Sequence, residues 1–217
     1  MATIVGIADT HGKHNELQVP AGDILVVAGD ITNIGKMPEL IEFNRWLGTL
    51  PHKHKIVVAG NHDFFCEKDP NLTKQLFTNA IYLDMAEATV MGIKFWGCPW
   101  TPWFYDWAFN YPRTGDRVQR MWDAVPEDVN VLVTHGPPAH TTLGITNGYM
   151  DQPPEDAGCI VQFNRILQLP KLQATFCGHI HHGAGVDMIQ DRVKCHNVAV
   201  VNEKYQVVRH GLTYEYK

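Results

Sequence analysis

Five short polar clusters carry the side chains that could do chemistry: Asp9-Thr10-His11, Gly29-Asp30, Gly60-Asn61-His62-Asp63, His135 ahead of Gly136, and Gly178-His179-Ile180-His181. Residues i and i+2 of an extended chain project to the same side. Asp9 with His11, and His179 with His181, can therefore each offer two donors to one place. The pool is two carboxylates (Asp9, Asp30), one amide oxygen (Asn61) and four imidazoles (His11, His135, His179, His181), with no thiolate. Such a set suits Mn²⁺, Fe, Zn²⁺ or Co²⁺ and does not suit soft ions. These donors are too many for one tetrahedral ion. If one carboxylate bridges, they divide between two.

Each cluster directly follows an apolar run read as a buried strand: residues 3–8, 23–28, 55–59, 130–133 and 174–177. Runs of this length, rich in Val and Ile without alternation, suit strands covered on both faces. Helical spacing lies between them. Residues 37–47 carry Pro38 near the first turn, place Leu40, Phe43 and Leu47 on one face, and stop at Gly48 before Pro51. Residues 114–124 and 156–169 have similar spacing. The alternation predicts an α/β fold with largely parallel strands, whose carboxyl ends converge on one crevice. Two hairpin-like pairs break the pattern: 89–91 turning at Gly92 into 93–96, and 194–201 leading into 205–209. They predict antiparallel strands in a second sheet or a mixed edge. No repeat or Gly/Ser linker divides the sequence, so one domain is expected over 1–217.

Composition narrows the function classes. Lys and Arg number 18 against 23 Asp and Glu, a net charge of −5 without a basic block, which argues against a dedicated nucleic-acid groove. No apolar run approaches the roughly 18–20 residues of a membrane helix. The first apolar segment, residues 4–8, has no basic flank and runs into Asp9, unlike a secretory signal. The five cysteines are scattered, with no Cys-x-x-Cys pair, as expected for reduced thiols in a cytoplasmic protein.

In type and order the clusters resemble the five signature motifs of the calcineurin-like metallophosphoesterase superfamily. Three further stretches, Phe43-Asn44-Arg45-Trp46-Leu47-Gly48, Lys55-Ile56-Val57-Val58-Ala59-Gly60-Asn61-His62 and Gly97-Cys98-Pro99-Trp100-Thr101-Pro102-Trp103-Phe104-Tyr105, resemble its MPPED-like branch, near the class III cyclic-nucleotide phosphodiesterases. The resemblance implies a two-sheet α/β sandwich, mixed sheets flanked by helices. It implies that Asp9, His11 and His181 hold one divalent ion, that Asn61, His135 and His179 hold the other, and that Asp30 bridges. Manganese leads among the candidate ions. His62 would be the catalytic residue, contacting the phosphate and assisting the leaving group. The implied reaction is hydrolysis of a small, nucleotide-type phosphodiester, cyclic nucleotides among the candidates, by a metal-bridging hydroxide. Ser/Thr protein phosphatases of the superfamily carry an Arg shortly after Gly-Asp. Here Gly29-Asp30 is followed by Ile31-Thr32-Asn33-Ile34-Gly35-Lys36, which favours diesters over phosphoproteins.

Two other functions compete. A metal-dependent nuclease would require nucleic-acid affinity that the charge pattern does not advertise. A non-catalytic nucleotide-binding or scaffold protein has no need of a complete ligand set. The aromatic segment 100–111 reads either as a Pro-pinned loop packed on the core, as a dimer contact, or as a wall for a nucleobase. In the last case Trp103 and Phe104 would join Asn61 and His62 as substrate contacts. Asp63 could orient His62 or cap a helix. His14, His140 and His182 could be outer partners of the ligands or substrate contacts; His52, His54, His196 and His210 read as packing or surface residues.

Overall fold

The computed structural model describes residues 1–148 and 153–217. The first half of the chain builds one sheet. Strands β1 (Ala2–Ile7), β2 (Ile24–Ala28) and β3 (His54–Val58) run parallel, with helix α1 (Met37–Thr49) crossing between the second and third. Two short helices, α2 (Phe64–Lys68) and α3 (Pro70–Leu76), lead to the parallel edge strand β4 (Ile81–Tyr82). The hairpin β5 (Ala86–Val90) and β6 (Ile93–Cys98) then opens a second sheet, turning at Met91-Gly92 with φ of 53° and 77°. Positive φ at both central residues is what a tight hairpin turn requires. A small parallel pair, β7 (Thr101–Pro102) and β8 (Asn110–Tyr111), ties down the aromatic segment. Helix α4 (Asp116–Asp123), β9 (Val131–Thr134), helix α5 (Ile160–Gln168) and β10 (Ala174–Cys177) follow.

β11 (Gly185–Ile189) and β12 (Val193–Asn197) complete the second sheet, whose order is β11-β12-β10-β9-β6-β5. β13 (Leu212–Tyr216) returns to the first sheet, antiparallel to β1, giving β13-β1-β2-β3-β4. The two mixed sheets face each other. Ile4, Val26, Ile56 and Val58 of one pack with Phe95, Val131, Val133 and Phe176 of the other. Alternate residues turn outward. Val5, Ile7, Leu25 and Val27 bury the Leu40, Phe43 and Leu47 face of α1, while Leu132 and Cys195 bury Val118 and Trp122 of α4 and Ile166 of α5. The result is a two-sheet α/β sandwich flanked by helices.

The second expected hairpin is corrected. β12 pairs with β11, turning at Gln190-Asp191, and the 205–209 segment pairs antiparallel only with residues 200–202, through the Val201–Val207 bridge and the Asn202, Val208 and Arg209 amides donating to the Gln206, Val200 and Val200 carbonyls. Residues beyond Asn197 cross to the other sheet, where the Ala8 amide donates to the Val198 carbonyl and the Val200 amide to the Ala8 carbonyl. Helix α5 also starts later than expected. Asp156 is drawn into the preceding loop, accepting from the His140 and Gly158 amides at 2.7 and 2.9 Å, and Cys159 Sγ caps the helix through the Gln162 amide.

Candidate metal centre

The five clusters leave the carboxyl ends of β1, β2, β3, β9 and β10, the edge at which an open α/β sheet binds ligands. Asp9 (φ 56°), His11 (43°), Asp30 (50°) and His179 (68°) all lie in the left-handed region. Non-glycine residues rarely adopt it, at a cost on the order of 1 kcal/mol each, and such strain concentrates at functional sites. Backbone contacts hold it in place. The His11 amide donates to the Asp30 carbonyl at 3.0 Å, the His62 amide to Asp30 Oδ1 at 2.8 Å, and the His179 amide to both Asp9 oxygens at 3.0 Å. Gly60 and Gly178 make room: a Cβ on Gly60 would crowd the Asp30 carboxylate and lie 2.7 Å from His135 Cε1, and one on Gly178 would crowd the Asp9 carboxylate.

Three groups of donor atoms come within 4.8 Å of one another: Asp9, His11 and His181; His11, Asp30 and His62; and Asp30, His135 and His179. Within them His11 Nε2 lies 3.3 Å from His181 Nε2, and His181 Nε2 lies 3.7 Å from Asp9 Oδ1. Asp30 faces both ways. Its Oδ2 is 3.8 Å from His11 Nε2 and its Oδ1 is 3.3 Å from His135 Nε2, which also lies 2.8 Å from Asn61 Oδ1. Two ligands about 2.1 Å from one ion stand roughly 3.0–3.4 Å apart at octahedral to tetrahedral angles, so this spacing fits ligands converging on cations. Three rings are aimed from behind. Nδ1 of His135 donates to the Ala28 carbonyl (2.9 Å), that of His181 to the Asn202 carbonyl (3.2 Å) and that of His62 to the Asn33 carbonyl (2.9 Å).

The electrostatics also call for cations. Burial alone would raise the Asp30 carboxyl, but the His135 charge and hydrogen bond beside it hold it well below the usual range. Asp9, likewise desolvated, is lowered by neighbouring His181. No Lys or Arg among the described residues pairs with either. Burial would depress His135, yet Asp30 lifts it to about 9. Desolvation takes His11 down to about 4, and desolvation with the His135 charge takes His179 to about 3. Asp9 and Asp30 are ionised, His11 and His179 are neutral, and His135 and His181, raised by the two carboxylates, would give up a proton to a bound ion, which together make a cation-binding set.

Asp63 neither caps a helix through its side chain nor touches the His62 ring. Its carboxylate accepts from the Thr32 and Gly60 amides (2.9 and 2.8 Å) and the Thr32 hydroxyl (2.6 Å), lashing the turn after β2 to the turn after β3. Burial and the Asp30 charge raise its carboxyl to about 6. Of the aromatic segment, Phe104 and Tyr105 line a pocket of about 530 Å³ that reaches His179 and His181, and Trp103 is not among its lining residues. Sequence reasoning missed Trp107, whose ring lies 4.4 Å from that of His62, and Tyr205, packed edge-on to His11 and His181. It also missed Arg113, a cation lining the same pocket. The run of aromatics was a signal for Trp107; nothing in the sequence marked Tyr205. His140 stays peripheral, near Asp156 (3.9 Å), whereas His182 lines the pocket, 3.7 Å from Glu203.

Residues 2–183 match the family Calcineurin-like phosphoesterase, and the chain belongs to that family. Metallophosphoesterase domain-containing protein 1 of Homo sapiens is 36% identical over 230 residues, covering 94% of this chain and 68% of its own length; its Mus musculus counterpart has the same values. UPF0046 protein K07C11.7 of Caenorhabditis elegans is 35% identical over 198 residues, covering 84% of this chain and 64% of its own. The crystal structure of TT1561 of Thermus thermophilus superposes with a TM-score of 0.59 at 12% identity, covering 90% of this chain and 88% of that one, a likeness of fold. Family and clusters together support metal-dependent hydrolysis at the level of the superfamily. Among the described residues no helix is long and apolar enough to cross a membrane.

Proposed function

We propose that the protein is a dinuclear metal-dependent phosphodiesterase of the MPPED-like branch, acting on small phosphodiesters of nucleotide type. The observation that carries this reading is Asp30, whose two oxygens face His11 in one donor group and His135 in the other. Asp9, His11 and His181 would hold one ion and Asn61, His135 and His179 the second, with Asp30 shared and manganese the leading candidate. Two such ions supply Lewis acidity toward the phosphate and a water activated near neutral pH.

The chain's own residues do the rest. With Nδ1 donating to Asn33, the ring of His62 has Nε2 free, and in the protonated ring Nε2 donates to the departing oxygen. Trp107 backs that ring and fixes its plane. Asn61 contributes an oxygen without charge, so the only carboxylates in the set are Asp9 and Asp30. That preserves the positive surplus a diester monoanion needs. The pocket beside His179 and His181, walled by Phe104 and Tyr205 with Arg113 at its edge, suits a flat arm such as a nucleobase.

The test is a metal-by-substrate screen on chelator-stripped protein, using bis(p-nitrophenyl) phosphate and 2′,3′- and 3′,5′-cyclic nucleotides. Mn²⁺ or Co²⁺ should restore hydrolysis better than Mg²⁺, because imidazoles are poor Mg²⁺ ligands. Full activity in chelator, or no diester turnover with any ion, contradicts the proposal.

A further inference from the structure

An imidazole turns about a side-chain torsion with broad wells, so something outside the ring must fix its plane. For His135, His181 and His62 a carbonyl behind Nδ1 does this. His11 is held differently. Its Nδ1 has no hydrogen-bond partner among the described residues, so packing sets the plane of its ring. Three rings meet it edge-on: His62 at 4.5 Å and 80°, His181 at 5.2 Å and 69°, and Tyr205 at 4.7 Å and 80°. The first two belong to the donor groups themselves. Tyr205 comes from outside them and also reaches the rings of His181 and His62, at 5.5 and 6.3 Å.

The turn that presents this ring is tightly built. Tyr205 lies in the left-handed region at φ 57°, and its amide donates at 2.8 Å to the Asn202 carbonyl, the same oxygen that accepts from His181 Nδ1. Asn202 Oδ1 in turn accepts from the Lys204 and Gln206 amides, each at 3.0 Å. A single turn therefore places a carbonyl behind His181 and an aromatic ring against His11. It grows from residues 198–200, whose backbone brackets Ala8, immediately ahead of Asp9 and His11. The contacts are also one-sided. Among the described residues no ring contact joins Tyr205 to His135 or His179, which pack on each other at 5.0 Å.

We propose that Tyr205 is a positioning residue for one half of the metal centre: its ring fixes the imidazoles of His11 and His181, and the ion held with Asp9 binds tightly only while an aromatic ring stands at position 205. This rests on the two-ion reading above. The work belongs to the ring and not to the phenol hydroxyl. Ligand atoms must stay within about ±0.2 Å of their places, a limit that an imidazole free to swing exceeds. Losing an outer partner of a ligand costs about 10–100-fold in metal affinity. The ion between Asn61, His135 and His179 has no such dependence.

The test titrates the full chain with Mn²⁺ and follows the free ion by its six-line paramagnetic resonance signal, which yields a dissociation constant for each site. Tyr205 is 40% exposed, so its replacement opens no core cavity and the variants should melt close to the wild type. Tyr205→Leu should weaken one ion by about tenfold and leave the other within about twofold. Tyr205→Phe, which keeps the ring, should match the wild type at both. In a His181→Ala background, where only the second ion remains, Tyr205→Leu should change nothing. Equal weakening of both ions, unchanged binding in Tyr205→Leu, or a Tyr205→Phe protein as impaired as Tyr205→Leu overturns the role while the two-ion reading stands. A wild type that binds a single ion overturns the two-ion reading, and this role with it.

Discussion

Replacing Gly60 by alanine should empty the metal centre without unfolding the chain. The new methyl carbon would lie 2.7 Å from His135 Cε1, and nearer still to Asp30 Oδ1 and the Asp30 amide. Ordinary contact begins near 3.4 Å, so the ring or the methyl must give way by at least 3.4 − 2.7 = 0.7 Å. Metal ligands tolerate only about ±0.2 Å, and the atoms that must move belong to the residue both ions would share. Overpacking of this kind costs about 1–3 kcal/mol of stability, which a domain of this size survives. Loss of ligand geometry should cost about 10²-fold in turnover. The assay is metal content per chain after Mn²⁺ loading and dialysis, with a thermal melt and initial rates alongside. Gly185→Ala is the control, because a Cβ there meets nothing within 4 Å. A Gly60→Ala protein that keeps two ions and full turnover would refute the argument from contact.

Three further outcomes are expected. Asp30→Asn should lower occupancy of both sites together, whereas His181→Ala should chiefly empty one; two ions per chain in the Asp30 variant, by mass spectrometry, would contradict the shared role. His62→Gln should keep its metal and lose far more activity on a cyclic nucleotide, whose alkoxide leaves poorly, than on a p-nitrophenyl ester, with general-acid assistance worth about 10²–10⁴; equal losses would indicate plain phosphate contact. His196 is buried against Phe176, with Nδ1 donating to the Thr175 carbonyl, and burial lowers it to about 4 from an ordinary 6.5. Its folded pKa lies below its unfolded one, so the stability it allows is complete above pH 6.5 and is lost as pH falls toward 4, by about 3 kcal/mol. His196→Phe should flatten that part of the urea-unfolding stability curve, and an unchanged slope would show that another group carries the acid lability.

The parts of this molecule that were legible in the sequence are those set by side-chain type. Apolar runs with no alternation marked the five central strands because both faces of each are covered, and the polar residues that end them marked the crevice. The donors Asp9, His11, Asp30, Asn61, His135, His179 and His181 converge because parallel strands deliver their carboxyl ends to one edge. Edge strands were harder. β11 exposes Val186 and Met188 and turns Asp187 to the Thr142 amide and hydroxyl, the reverse of the usual amphipathic pattern. What aims the rings was not legible either. The acceptors behind His135, His181 and His62 are carbonyls of Ala28, Asn202 and Asn33, which every residue type carries. The left-handed turns at Asp9, His11, Asp30 and His179 are likewise imposed by neighbouring chain, since nothing in those residue types demands them.

The central claim is that two ions share Asp30, and the most direct measurement of it is electron paramagnetic resonance on protein titrated with Mn²⁺, read with metal content per chain. Two ions joined through a carboxylate should bind as a pair and give the multiline spectrum of spin-coupled manganese. In Asp30→Asn that coupling should vanish. One ion per chain, or two that give only the six-line signal of isolated Mn²⁺, would contradict the account.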